Sequence, residues 1–520
     1  MRTIFSQTKK EDLFPDQLGD YELISLFIES SRDDKGVGIK FKQYALDLVY
    51  TNISIYEDIY SNCLTGSVTI LDGNHLLTDF PIIGEETIEM CFRSLNSPIS
   101  IQQRMRVTGV SELSYINENT ILYTLFLTSD VAIRSEKQKI SKSFYAGRTS
   151  QVVEYICARY LKMINDNSIE FKPQGDYFVK PKDKFSNYYS IETDSGHVEK
   201  YISPNYSPFR IINKLCRRTV STTGSLFFFF QDINKFRFVS LEDIFKKRAT
   251  ETSIKKLVYV PKDTVNKDTT TSWNIVNEYK ILSRFDVFKN MSKGMYSSEY
   301  LFLDVEKKEF RTKQFYYQRD AKNYYHVNDK QYLLSTNNSD ITHDERRENP
   351  RTVKEVVMFQ QGDQESQSYS SHFSEGLQRR LSIQAQLDSM ILQIVLPGDS
   401  SGYISIGDIV EFVFPKYQRD EGDSYLSGRY LVTRIHHSIS TGHDKYRIIL
   451  EVTSDTISNG YNLIEGDDST KIGIQTDSKD IVLEPDRDVV GTSVTSLLTI
   501  DEYNQEARKR RLEFLSSRFD

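Results

Sequence analysis

The sequence predicts a mainly β protein in which a small α/β unit separates two copies of one β-domain. The first observation behind this is a repeated landmark. Asp58-Ile59-Tyr60-Ser61-Asn62-Cys63-Leu64-Thr65-Gly66 and Asp286-Val287-Phe288-Lys289-Asn290-Met291-Ser292-Lys293-Gly294 both read Asp, β-branched, aromatic, any residue, Asn, three residues, Gly. The offset is constant, since 286 minus 58 and 294 minus 66 are both 228. An apolar-rich stretch follows each landmark and ends on Asp72 or Asp304. The second observation is that two further matches occur in the same order: residues 84–92, from Gly84, with 407–414, from Gly407, and residues 125–130 with 450–455. The third is spacing. Gly84 to Thr128 is 44 residues and Gly407 to Thr453 is 46, whereas Gly66 to Gly84 is 18 and Gly294 to Gly407 is 113. Matches in register and in order indicate duplication, and the unequal span places a large insertion in the second copy.

Taken in order, residues 1–20 read as an N-terminal arm. Strands are expected at 23–28, 38–41, 46–56, 87–92, 105–113 and 120–129. Ile53, Ile55 and Glu57 alternate with Ser54, Tyr56 and Asp58 at a half-buried strand period. Six to eight strands in so short a span point to a barrel or a sandwich. The pattern then changes. Thr149 or Ser150 caps a helix with Val152, Val153, Ile156, Tyr160 and Leu161 on its apolar side. Residues 178–198 read as a Tyr-rich loop. Ser207-Pro208 starts a second helix, proline being favoured at the first helical position. Gly224 and an aromatic hairpin, 226–230 and 236–240, complete the α/β unit. The second β-domain runs from 256 to 304. An insertion follows at 305–375, then a helix at 373–387, then strands at 390–396, 408–414, 428–435 and 445–453. The boundaries are therefore an arm at 1–20, a first β-barrel at 21–133, a small α/β domain at 134–255, a second barrel from 256–304 and 376–455, an insertion domain at 305–375, and a C-terminal extension at 456–520. Thr499-Ile500-Asp501-Glu502 resembles a capping box opening a terminal helix. That helix carries Arg508, Lys509, Arg510 and Arg511 beside Leu512 and Phe514, a candidate partner-docking segment.

Composition narrows the function. The 520 residues suit about three or four domains. A net charge of −7 argues against bulk nucleic-acid binding. The 32 Tyr and 30 Phe beside a single Trp favour strands and assembly surfaces. Cys63, Cys91, Cys157 and Cys216 are widely spaced in apolar contexts and read as reduced core residues, which fits a cytosol. Residues 1–20 lack the apolar stretch of a signal peptide, and the apolar run at 226–230 is far too short to span a bilayer.

No catalytic, cofactor or metal constellation emerges. His436 and His437 are adjacent in a strand and point to opposite faces, so joint ligation with His443 is awkward. Gly36-Val37-Gly38 lacks the third glycine and the helix of a dinucleotide site. Glu85-Glu86 reads as a charged strand entry after a glycine turn rather than an acid pair.

The duplicated block resembles the central baseplate hub family of contractile-tail phages, which is related to the base of type VI secretion spike proteins. The residues that carry the resemblance are 55–66 with the strand to Asp72, Phe80-Pro81-Ile82-Ile83-Gly84-Glu85-Glu86, the helix–glycine–Phe-rich unit 207–230, and Gly428-Arg429-Tyr430-Leu431-Val432 with Ile435-His436-His437. It covers roughly 21–455 of the chain; 305–375 and 456–520 match nothing in the family. The resemblance implies tube-like barrels and a homotrimeric ring with pseudo-six-fold symmetry. The ring would form part of the DNA channel in a virion baseplate assembled in the host cytoplasm and used for genome ejection. The partners implied are a central spike protein, tail-tube initiator proteins, the tape-measure protein and other baseplate proteins. No enzyme activity, cofactor, sequence-specific nucleic-acid binding or membrane insertion is implied. The alternatives are a glycan-degrading tail-associated enzyme, which needs paired carboxylates facing a cleft, or the spike-base protein of a contractile secretion system. Duplication itself favours the hub, because three chains with two similar domains each present six similar surfaces.

Overall fold

The computed structural model describes residues 19–30, 42–165, 173–174, 177–178, 187–193, 198–250, 254–259, 275–304, 309–320, 324–328, 353–359, 376, 379–414, 426–441 and 446–456, except 75, 81, 85, 96, 112, 222, 223, 285 and 403. The strand expected at 38–41, most of the arm 1–20, His443 and the extension beyond 456 lie outside them.

Fifteen strands form one large sheet. Its first half reads, edge to edge, Lys42–Ala45, Tyr21–Ser30, Thr87–Ser94, Ile101–Val110, Thr120–Ser129, Thr65–Asp72 and Tyr50–Asp58, with Ser114–Asn117 added beside Thr120–Ser129. Its second half reads Ile275–Val276, Lys255–Tyr259, Ile409–Val413, Gly428–Ser440, Tyr446–Thr453, Met390–Pro397 and Glu278–Arg284. Numbered by chain position within each path of seven, both halves read 2-1-5-6-7-4-3. Even an irregularity recurs. The register slips between Val107 and Gly109 against Thr120–Ser129, and between Val432 and Arg434 against Tyr446–Thr453. The pairs Val107↔Leu127 and Val432↔Val452 are 325 residues apart in both members (432 minus 107, 452 minus 127). One difference is direction. Lys255–Tyr259 runs parallel to both neighbours, whereas Tyr21–Ser30 is antiparallel to both of its own.

The expected pair of tube-like barrels is corrected here: no barrel closes among the described residues. The physical reason is strand length. Gly428–Ser440 has 13 residues and its neighbour Ile409–Val413 has five, roughly 43 Å against 16 Å. Ile409–Phe412 covers only Gly428–Leu431. The rest of that edge, Arg434 to Ser440, pairs antiparallel with Asn52 to Asp58 of the first half. An uncovered edge of that length invites foreign pairing, and here a strand of the same chain takes it.

The landmark alignment is also corrected. The first landmark joins two neighbouring strands of the large sheet, Tyr50–Asp58 and Thr65–Asp72. The second begins in the same way after Glu278–Arg284, but then folds into the short helix Val287–Ser292. Its following strand, Ser297–Asp304, leaves the large sheet and forms a three-stranded sheet with Glu309–Tyr316 and Val353–Phe359. The place of Thr65–Asp72 goes to Met390–Pro397 instead. The two stretches thus part in structure from Asp286 onward.

The small α/β unit has a four-stranded sheet, Ile164–Asn165, Tyr188–Ile191, Phe236–Ser240 and Phe227–Gln231, against helices Thr149–Arg159 and Pro208–Cys216. Tyr188–Ile191 and the start of Val198–Tyr206 lie in what the sequence reads as a loop. Tyr188, Tyr189 and Ser190 are all buried, so no in–out alternation marks the strand Tyr188–Ile191. Ile156, Ile212, Leu215, Phe236 and Phe238 are fully buried in the core of this unit, apart from the core of the large sheet. All four cysteines are free and buried.

Candidate functional site

Antiparallel pairing of Tyr50–Asp58 with Gly428–Ser440 creates a seam between the two halves. The strand period sends Ile53, Ile55 and Glu57 inward from one side and Ile435, His437 and Ile439 inward from the other. Apolar contact accounts for four of these six. Glu57 and His437, 2% and 4% exposed, need polar partners. His437 Nε2 lies 2.9 Å from Glu57 Oε1, and its Nδ1 lies 3.0 Å from the Tyr446 hydroxyl. Tyr446 donates onward to the Asp399 carbonyl at 3.1 Å. Glu57 Oε2 accepts the Ile233 N–H of the α/β unit at 2.9 Å. Because Tyr446 spends its proton on Asp399, it accepts from His437, which places a hydrogen on Nδ1. This chain of bonds ties both halves and the α/β unit together. Asp232, in the same hairpin turn, is pushed up to about 6, by burial and by the Glu57 carboxylate.

The outer face of the seam is also paired. His436 stacks on Tyr56, with ring centres 4.3 Å apart, and its Nε2 meets Ser54 Oγ at 3.1 Å. Burial, then the neighbouring His437 and Arg447, push its pKa down to about 4. Arg434 bridges Asp58 and Glu451 at 2.9 Å each. The two histidines thus serve opposite faces, as the strand period requires.

A second buried knot holds the α/β unit to the chain returning from the insertion. The Glu242 carboxylate, fully buried, accepts from Ser225 N, Ser225 Oγ, Leu226 N and Ser240 Oγ at 2.9–3.3 Å. Arg379 pairs with it at 3.2 Å. Arg380 donates to the Ser225 and Thr219 carbonyls. Both arginines lie on the helical stretch 379–387. Gly224 is obligatory here, because a Cβ would stand 1.8 Å from Ser240 Oγ and 2.8 Å from Glu242 Oε2. At the far end of the second half, buried Asp455 accepts Val327 N at 3.0 Å and meets His326 Nδ1 at 2.7 Å.

Most of the landmark residues fix local backbone. Asp58 Oδ1 accepts Tyr60 N, and Asp286 Oδ1 accepts Lys289 N. Asn62 reaches Asn213 and the Phe229 carbonyl of the α/β unit, and Asn290 reaches Ser389 Oγ. Gly66 sits in a strand where a Cβ would come 2.8 Å from the Ser54 carbonyl oxygen, whereas Gly294 holds φ +73°. Gly84 and Gly407 share a left-handed backbone, φ +95° and +81°, before strands that occupy the same place in the two halves. Buried Glu86 accepts Ile83 N and Gly84 N within that turn; Glu85 lies outside the described residues. So do Arg508, Lys509, Arg510, Arg511, Leu512 and Phe514. The structure brings Asn62 and Gly407 against the α/β unit, Gly407 beside Phe230, Arg237 and Ile244.

Sequence reasoning missed Glu57, Glu242, Arg379 and Arg380. Glu57 carried a signal, as a charged residue at the third position of an inward-facing Ile-x-Ile-x-Glu run. A polar cleft of about 190 Å³ lies between Ile101–Val110 and the α/β unit. Its one lining carboxylate is Asp130. Burial alone would raise the Asp130 pKa, but Arg106 and Arg134 outweigh it and hold the group below the usual range.

No family model and no curated protein sequence matches the chain. Solved structures similar to it include a tail protein from Neisseria meningitidis, with 9% identity, TM-score 0.46, 84% of this chain and 97% of that one covered. A 43 kDa tail protein of prophage MuSo2 from Shewanella oneidensis has 10% identity, TM-score 0.46, and 83% and 99% coverage. The Francisella PdpA–VgrG complex has 8% identity, TM-score 0.40, and 84% and 53% coverage.

Proposed function

We propose that this chain is the structural hub of a phage tail baseplate. In this reading the two halves of the large sheet are copies of one domain, and three chains form a pseudo-six-fold ring around the DNA channel. The single observation that supports it is the strand order 2-1-5-6-7-4-3, present twice and joined edge to edge through one seam. An enzyme requires no second copy of a β-domain, whereas a ring that joins a three-fold spike to a six-fold tube gains quasi-equivalent positions from it. The family resemblance of 21–455 supplies the partners: central spike, tail-tube initiators, tape measure and neighbouring baseplate proteins. Virion location and assembly in the host cytoplasm follow from the same reading.

The domain boundaries set out from the sequence stand as part of the proposal, with the insertion extended back to Asp286. The C-terminal extension docks on a neighbouring protein through Arg508, Lys509, Arg510, Arg511, Leu512 and Phe514. The net charge of −7 suits a conduit, because an acidic surface repels phosphate.

The test is the mass by light scattering, alone and with the spike. A trimer in either condition is expected. A monomer in both overturns the proposal.

A further inference from the structure

We propose that the cleft between Ile101–Val110 and the α/β unit is a docking site for an acidic peptide segment of a partner protein, held by Arg106, Arg134 and Lys235.

Charge is divided unevenly along the chain. Residues 134–255 carry 22 Lys and Arg against 13 Asp and Glu, a net of +9, whereas the whole chain is at −7, which leaves −16 for the rest. The α/β unit is therefore the cationic part of an acidic protein, and its field draws anions toward it.

The cleft lies at the border of that unit. Arg104 and Arg106 line it from Ile101–Val110, Arg134 from the helix Asp130–Lys137, and Lys235 from the turn of the aromatic hairpin. These four cations stand against one lining carboxylate, Asp130. Asp130 Oδ1 takes Arg106 Nε at 2.9 Å, and its Oδ2 takes Arg134 Nη2 at 2.5 Å. Arg104 is anchored by Glu29 at 3.1 Å and Glu89 at 3.3 Å, neither of which lines the cleft. These bonds fix the guanidinium groups without hiding them, since the side chains of Arg104, Arg106 and Arg134 stay 40%, 38% and 36% exposed. A guanidinium carries five N–H donors in a planar fork that matches a carboxylate. Because the three are already held in place, little side-chain freedom is lost when an anion arrives.

Size and lining select the class of ligand. About 190 Å³ is less than the roughly 300–1,000 Å³ of small-molecule sites, so the cleft takes a side chain or two rather than a cofactor. The side-chain amides of Gln102, Asn187 and Asn234 also line it. An amide both donates and accepts, which suits the N–H and C=O groups of a peptide backbone, whereas a bare oxyanion uses donors alone.

The test uses the full-length protein and a fluorescent peptide of alternating Asp and Gly, read by anisotropy. The matching Asn–Gly peptide, inorganic phosphate and a single-stranded oligonucleotide are the comparison probes. The Asp peptide is expected to bind, to weaken as salt is raised, and to bind about tenfold more weakly to Arg106→Gln/Lys235→Gln. Arg210→Gln/Arg217→Gln removes as much charge from the same unit, at exposed positions on and just beyond the helix Pro208–Cys216, and should change binding by less than about twofold. Asp130→Asn removes the carboxylate that competes for Arg106 and Arg134 and should tighten binding. A loss of fold does not produce a gain in affinity, so this variant decides the matter even where the Arg106 double variant unfolds. Equal losses in the two double variants would assign binding to the general field of the unit and overturn the site. Equal binding of the Asn–Gly peptide, tighter binding of phosphate or of the oligonucleotide than of the Asp peptide, or weaker binding by Asp130→Asn would overturn it as well. None of these outcomes bears on the ring, whose test is the mass of the oligomer.

Discussion

Glu57 tests the internal seam most sharply. Glu57→Ala removes the acceptor of the Ile233 N–H and the partner of His437 Nε2, both at 2.9 Å in a buried setting. Each buried orphan costs about 1–3 kcal/mol, so the pair should cost about 4 kcal/mol. Glu57→Gln behaves differently. Its carbonyl oxygen accepts from Ile233, its amide donates to Nε2 of a neutral His437, and Nδ1–H still donates to Tyr446. Every group keeps a partner, so the loss should stay below about 1 kcal/mol. Urea denaturation of the two variants under one condition measures the contrast. Equal destabilisation by Ala and Gln would refute the hydrogen-bond chain, because the loss would then be one of charge. Neutral behaviour of Ala would show that the seam is hydrated rather than buried.

Further outcomes follow from the same geometry. Gly224→Ala forces Ser240 and Glu242 apart and should cost about 3 kcal/mol, the sum of overpacking and a broken buried hydrogen bond, read by the same denaturation assay. His436, at about 4 in the fold, is fully stabilising above about 6.5 and loses that contribution as pH falls toward 4. After allowance for its partial exposure this amounts to about 1–2 kcal/mol, and His436→Gln should flatten that slope. Asp232, at about 6, acts oppositely: its contribution is present below about 3.8 and lost as pH rises through 6, so Asp232→Asn should raise stability at pH 7 relative to pH 4. Truncation after 460 retains Asp455 and Thr456 and should leave the denaturation midpoint unchanged while weakening assembly with neighbouring proteins. A cut after Ser454 removes the partner of His326 and Val327 and should destabilise the fold.

Many of the strands were legible because strands announce themselves by period and turns by glycine. Gly84 and Gly407 both hold a positive φ, and the matches ending at Asp130 and Asp455 follow strands at like places in the strand order. The Asp286 landmark matched only in its first residues, since a local Asp turn recurs wherever a strand ends and says nothing about which strand comes next. Barrel closure was not legible either. It depends on the length of Gly428–Ser440 relative to Ile409–Val413, and strand ends are where local pattern is weakest. The buried knots were hidden for another reason. Glu242 and Arg380 are polar residues inside a core, and only their distant partners, Ser225 and Thr219, make that burial tolerable. Asn62 was found as a landmark, but its bonds to Asn213 and Phe229 span more than a hundred residues and leave no local trace.

An end-on electron-microscopic view of the purified oligomer, or of the baseplate particle, tests the central claim most directly. A three-chain ring with six similar β-lobes alternating around an open channel is the expected image. Two halves at opposite ends of a dimer would contradict it.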